Sequence, residues 1–177
     1  IGPGIGTGNR AKRLVNLVLS SRDIPVVIDA DGINVIALND QLKKALKKKA
    51  ESDEVVITPH LMEMSRLCGL PVPEIKKQMK EIAAKISDEY GVTTALKDAA
   101  TVTSSPEGEI VVNTTGNNGM STAGSGDVLA GVVGSFLTQS LPGFEAASLG
   151  VYVHGLAGDV AAEKYGVRGM KALDIAE

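Results

Sequence analysis

The sequence predicts an α/β fold, a largely parallel sheet covered by helices on both faces. Two observations carry this. Continuous apolar runs at Pro25–Asp29 and Glu54–Thr58 suit strands buried on both faces, where a half-exposed strand would alternate apolar and polar residues. Stretches with apolar residues at helical spacing separate these runs, and strands alternating with helices imply parallel pairing through crossovers. At 177 residues the chain suits one domain, and a hydrophobic fraction of 44% supplies a buried core.

In chain order, Gly2-Pro3-Gly4-Ile5-Gly6-Thr7-Gly8 forms a glycine loop of the kind that follows a strand. The chain therefore reads as a fragment of a longer one, truncated mainly at its N-terminus. Arg10–Ser21 is expected as a helix with Leu14, Leu17, Val18 and Ser21 on its stripe. After the first strand comes a Lys-rich helix over Gln41–Glu51, whose Lys43, Lys44, Lys47, Lys48 and Lys49 read as a solvated face. The second strand leads into a short helix, Leu61–Cys68, ended by Gly69, and then a long one, Glu74–Tyr90. Val92–Leu96, Thr101–Thr103 and Glu109–Asn113 are expected strands, the last two an antiparallel hairpin around Pro106-Glu107-Gly108. Helices over Asp127–Thr138 and Phe144–Tyr165 follow, and Met170–Glu177 begins another.

Composition narrows the function. Lys plus Arg total 18 against 21 acidic residues, a net charge of −3, which lacks the basic footprint of a nucleic-acid binder. Aromatic residues are 3% and Trp is absent, which argues against stacking platforms for single strands. No apolar run approaches the roughly 18 residues of a membrane span. Cys68 is the single cysteine, which suits a reducing cytoplasm and a buried, inert thiol. The expected protein is cytoplasmic, with no nucleic-acid or membrane partner.

The most informative stretch is Gly116–Asp127, placed before a helix whose stripe is Val128, Leu129, Val132, Val133, Phe136 and Leu137. Gly124 and Gly126 allow a tight turn and close approach of a ligand. Unpaired N–H groups at a helix start then face that ligand, and the dipole favours an anion. Asp127 has a plain alternative as a helix N-cap. From Asp98 to Glu163 there is no Lys or Arg, yet seven acidic residues occur. A phosphate bound here must rely on backbone amides, a metal ion and the upstream Lys97. An acid beside an anion is costly unless it acts chemically, and the useful role is general base towards an attacking hydroxyl. Asp29 and Asp31, at the end of the first strand, are either ligand-facing or turn caps. His60 reads as a helix-start residue behind Thr58 as N-cap, and His154 as a packed core histidine.

Gly124-Ser125-Gly126-Asp127 resembles the Gly-x-Gly-Asp signature of ribokinase-like kinases. Four blocks, in order, resemble the ADP- or ATP-dependent NAD(P)H-hydrate dehydratase family within that superfamily. They are Gly2–Gly6, Ile28–Asn34, Thr58–Leu67 and Gly116–Gly131. The resemblance implies a ribokinase-like three-layer α/β/α fold over residues 1–177, lacking the family's N-terminal part. It implies dehydration of hydrated NADH or NADPH (the S-epimer) at the expense of ADP or ATP, with Mg²⁺. It assigns Gly4, Gly6, His60 and Asp127 to the hydrated substrate, with Asp127 as the base. Lys97, Asp98, Ala99, Ala100 and Thr101, with Gly124, Ser125 and Gly126, fall to the nucleotide, and Glu63 to Mg²⁺ through water. Asp98 stands where the family has Gly, which puts the local backbone in question. The family also implies a homo-oligomer, a tetramer by preference. Two rivals remain. Another ribokinase-like small-molecule kinase is one, with His60 in place of the superfamily's Asn against it. A Rossmann-type NAD module is the other, because Gly6-Thr7-Gly8-Asn9-Arg10-Ala11 fits Gly-x-Gly-x-x-Ala with Asp29 about 20 residues on.

Overall fold

The structure, a computed structural model, describes residues 1–177. Its strands are β1 (Val26–Ile28), β2 (Val55–Ile57), β3 (Thr93–Leu96), β4 (Val102–Ser104) and β5 (Ile110–Val112). They lie in the order β1-β2-β3-β4-β5, with β1, β2 and β3 parallel and β4 antiparallel to both β3 and β5. Four of the five strands thus run one way, and the expected hairpin is β4–β5. The helices are α1 (Asn9–Leu19), α2 (Asp31–Ala37), α3 (Asp40–Ala50), α4 (Leu61–Cys68), α5 (Val72–Lys77), α6 (Met79–Tyr90), α7 (Ser125–Thr138), α8 (Gly143–Tyr165) and α9 (Ala172–Ala176).

Successive strand residues point to opposite faces, so each strand feeds two cores. Ile28, Ile57 and Leu96 pack with residues of α1, α3, α4 and α6, while Val27, Val56 and Ala95 pack with α7 and α8. On α7 the buried positions Leu129, Val133 and Leu137 recur every four residues, and each is worth about 1.5–3 kcal/mol relative to exposure. Three layers result, helices on sheet on helices.

Several local expectations change. The buried stripe of α1 is Ala11, Val15 and Leu19, while Leu14 and Leu17 are exposed. Both faces of that helix carry apolar residues, so spacing alone could not choose between them. The stretch expected as one helix over Glu74–Tyr90 is two, broken at Gln78, whose φ of −141° and ψ of 48° leave the helical region. Helix α2 had not been foreseen. The lysine cluster is not wholly solvated: Lys49 is buried, its Nζ 3.0 Å from both Asp53 Oδ2 and the Ser21 carbonyl. Burial would raise the Asp53 carboxyl, but hydrogen bonds from Ser52, Lys49 and the Ile24 N–H, with the Lys49 charge, hold it below its ordinary value.

Candidate active site

The site forms where the parallel strands end, beneath the start of α7. Two residues beyond the α7-facing positions Val27, Val56 and Ala95, alternation returns Asp29, Thr58 and Lys97 to the same face. Asp29 and Lys97 meet across the intervening strand, Nζ to Oδ1 at 2.7 Å. Thr58 is fully buried there, and its hydroxyl has no hydrogen-bond partner. The Asp29 carboxylate is only 2% exposed, a buried charge that would be costly without its cation.

Helix α7 begins directly over this pair. A Cβ at Gly126 would lie 3.4 Å from Lys97 Nζ and 3.6 Å from Asp29 Oδ2. Gly124 is the N-cap, and its φ of +90° is a conformation that favours glycine. No side chain caps the helix, so the Gly126 and Asp127 N–H groups have no partner and face outwards as a bare anion site. Asp127 lies in the first turn, exposed, and is not the cap.

Beside this helix start lies a cavity of about 710 Å³, lined by His60, Lys97, Thr101, Ser125, Gly126 and His154 among others. Asp98 and Ala99 also line it, whereas Ala100, Gly124, Asp127, Gly4, Gly6 and Glu63 do not. Its outer wall is the segment Asn113–Ser121, held down by α8. Thr115 Oγ1 donates to the Tyr152 carbonyl at 2.9 Å, and the Gly116 N–H and the Asn117 amide donate to the Asp159 carboxylate, each at 2.9 Å. Gly155 lets this wall approach, since a Cβ there would overlap Thr115. His154 is indeed buried, but it also touches the site, with Nε2 3.4 Å from Ser125 Oγ. Burial lowers its pKa, the Lys97 charge adds to this, and the hydrogen bond with Ser125 opposes it.

His60 caps α4 itself, so Thr58 is not the cap. Its Nδ1 accepts from the Met62 and Glu63 N–H groups at 3.0 and 3.2 Å, doing what a Ser or Thr oxygen does elsewhere. Glu63 closes the box: Oε2 accepts the His60 N–H at 2.8 Å and Oε1 lies 3.0 Å from Nε2. Burial would raise the Glu63 carboxyl, yet these bonds and the charge of Lys97 hold it low. Asp98 meets no glycine requirement, because its φ is not positive, and its carboxylate pairs with Lys76 at 3.3 Å. The first loop joins the site through Asp31, whose Oδ2 accepts the Gly6 N–H at 2.8 Å. That N–H is therefore not free to cradle a pyrophosphate, which weakens the Rossmann alternative.

No three His, Cys, Asp or Glu side chains converge to cage a metal ion. A Mg²⁺ that keeps its waters and is held mainly by nucleotide phosphates needs only one or two carboxylates. Glu63, buried beside His60 with lone pairs left over, fits that lesser role.

A parallel sheet ending under a glycine-capped helix, with bare amides, one lysine and an adjoining cavity, defines the ribokinase-like class. Solved structures agree on the fold. The ADP/ATP-dependent NAD(P)H-hydrate dehydratase of Bacillus subtilis, co-crystallised with ATP and Mg²⁺, superimposes with a TM-score of 0.85 at 27% identity over 99% of this chain and 61% of that one. The chain belongs to the NAD(P)H-hydrate dehydratase family, whose sequence model matches residues 1–177. It is 39% identical to the ADP-dependent (S)-NAD(P)H-hydrate dehydratase of Neisseria meningitidis, over 99% of its own length and 59% of the relative's. Against the bifunctional NAD(P)H-hydrate repair enzyme of Moorella thermoacetica the identity is 41%, over 99% of this chain and 32% of that protein. The chain thus spans between a third and three-fifths of the length of the relatives it matches.

Asp29 was foreseen only as cap or ligand; its partner, Lys97, lies 68 residues away. Asp159 was not foreseen at all. Its Gly158-Asp159 step looks like any polar break in an apolar helix.

Proposed function

We propose that this chain carries the catalytic domain of an ADP- or ATP-dependent dehydratase acting on the S-epimer of hydrated NADH or NADPH. The observation that carries the reading is the bare Gly126–Asp127 amide pair above Lys97, with a nucleotide-sized cavity on one flank and exposed Asp127 on the other. Water added across the nicotinamide ring leaves a hydroxyl, which is a poor leaving group. Asp127 takes the hydroxyl proton as its oxygen attacks the terminal phosphorus of the nucleotide. The amides of Gly126 and Asp127 and the Lys97 ammonium stabilise the charge on the transferring group. The ring nitrogen's lone pair then expels phosphate to give an iminium, and loss of a proton from the adjacent ring carbon restores the dihydropyridine. Glu63, through water, would help hold a Mg²⁺ on the nucleotide phosphates, and the ion when bound would neutralise part of their charge.

In this reading the nucleotide occupies the cavity, against Lys97, Asp98, Ala99 and Thr101 on one side and Ser125 and Gly126 on the other, with Ala100 and Gly124 set behind these walls as backbone that shapes them. The hydrated substrate lies towards Gly4, Gly6, His60 and Asp127. The whole protein works in the cytoplasm as a homo-oligomer, a tetramer by preference, with no nucleic-acid or membrane partner. None of the helices is long and apolar enough to cross a membrane.

The test is recovery of dihydronicotinamide absorbance when full-length protein meets hydrated NADH, Mg²⁺ and ADP, with ATP in parallel. Nucleotide-dependent recovery that is abolished in Asp127→Asn is expected. Turnover that survives Asp127→Asn overturns the base, and no turnover by wild type leaves another ribokinase-like kinase as the better reading.

A further inference from the structure

We propose that Asp29 is a positioning residue for phosphoryl transfer, fixing the Lys97 ammonium beneath the start of α7. The inference rests on the nucleotide-binding part of the reading above. Lys97 is the one cationic side chain at this cavity, since no Lys or Arg occurs from Asp98 to Glu163 and the other lining residues are uncharged or acidic. Its four-carbon stem is flexible, and two buried carboxylates compete for it. Glu63 feels its charge, but both Glu63 oxygens are already engaged by His60. Asp29 alone contacts Nζ, at 2.7 Å, and the same carboxylate faces Gly126.

The backbone is built to present it. Asp29 uses its own N–H and carbonyl for the Ile1 carbonyl and the Gly32 N–H, leaving the side chain free for Lys97. The next residue, Ala30, has φ 49° and ψ −122°, a strained conformation for a residue with a Cβ. That turn sends consecutive acids to different tasks: Asp29 to Lys97, Asp31 to the Gly6 N–H. A strained residue between two acids that reach the two glycine segments of the site fits pre-organisation.

A carboxylate beside a phosphate site repels the nucleotide while it holds the lysine in place. Its removal therefore spares or tightens ADP binding while it slows turnover, a split that a merely structural role would not give. In the full-length protein, Asp29→Asn is expected to bind ADP with Mg²⁺ as tightly as wild type or up to about tenfold tighter by calorimetry, because a negative charge has gone. Its kcat is expected to fall about a hundredfold, the scale for a misplaced catalytic group. Lys97→Met is expected to bind ADP more weakly than wild type and to keep only a residual kcat, no higher than that of Asp29→Asn. The double variant D29N/K97M, spared an unpaired buried charge, is expected to match K97M in kcat. Weaker ADP binding by a folded D29N, or a double variant slower than K97M, overturns the proposal. Should wild type bind ADP but not restore hydrated NADH, the dehydratase reading fails while the binding arm still judges Asp29.

Discussion

Replacing Asp159 with alanine removes both bonds that its carboxylate makes to the cavity wall, to the Gly116 N–H and the Asn117 amide, each 2.9 Å long. Hydrogen bonds to a charged group are worth about 1.5–3 kcal/mol each when buried. Gly116 is exposed and Asp159 only half-buried, so water replaces part of that, and about 1–2 kcal/mol in total is the reasonable loss. The Asn117 amide keeps its second bond, to the Gly158 carbonyl at 2.9 Å, and Thr115 stays tied to Tyr152, so the wall loosens without detaching. In a chain of this size that loss lowers Tm by roughly 2–8 °C. If the wall encloses the nucleotide, ordering it again on binding costs a similar amount, and about 1.4 kcal/mol is a tenfold weaker Kd. Calorimetric titration with ADP and Mg²⁺ measures this, and Asp159→Asn, which keeps one acceptor oxygen, should fall between the two. A variant that melts lower but binds ADP as tightly as wild type would refute the assignment of this segment to the nucleotide cavity.

Two further outcomes are expected. Gly155→Ala forces a methyl into Thr115, and overpacking of this kind costs about 1–3 kcal/mol, so a thermal melt should show a clear loss while Gly131→Ala, at a position with open space, shows none. His154 has a lowered pKa in the folded protein, so below about pH 6.5 the unfolded chain takes up a proton that the folded chain resists. Its contribution to stability is whole above that pH and is lost as pH falls towards the folded pKa. His154→Gln should flatten the fall in Tm as pH drops below about 6.5, and identical slopes in the two proteins would count against it.

The strands were legible because a parallel strand buried on both faces writes a continuous apolar run, and Val26–Ile28 and Val55–Ile57 do so. The glycine-capped start of α7 was legible for a similar reason, since few other roles need Gly124-Ser125-Gly126 before an apolar stripe. Helix α2 was not, being seven residues that open with Asp-Gly, the spelling of a turn. The break at Gln78 carries neither Gly nor Pro. The cap of α4 was placed two residues early, because the rule looks for an oxygen and here an imidazole nitrogen does the work. Of the site residues, those on the glycine segments declared themselves locally. The Asp29–Lys97 and Asp159–Gly116 contacts exist only once the sheet order and the packing of α8 are known, and no local pattern encodes them.

Helix α8 runs unbroken for 23 residues, and the hydrogen bonds it makes to the cavity wall all land on one short stretch of it, Tyr152 to Asp159. Wall and helix therefore share a single mechanical fate. The wall cannot lift at one point without straining its other tethers, and His154, in the same stretch, carries any shift of the helix to Ser125. A ligand settling in the cavity would thus quieten a rod some 35 Å long, at about 1.5 Å per residue. Amides in the helix before Tyr152, towards its far end at Gly143, would register the event through slowed exchange, away from the stretch that holds the wall.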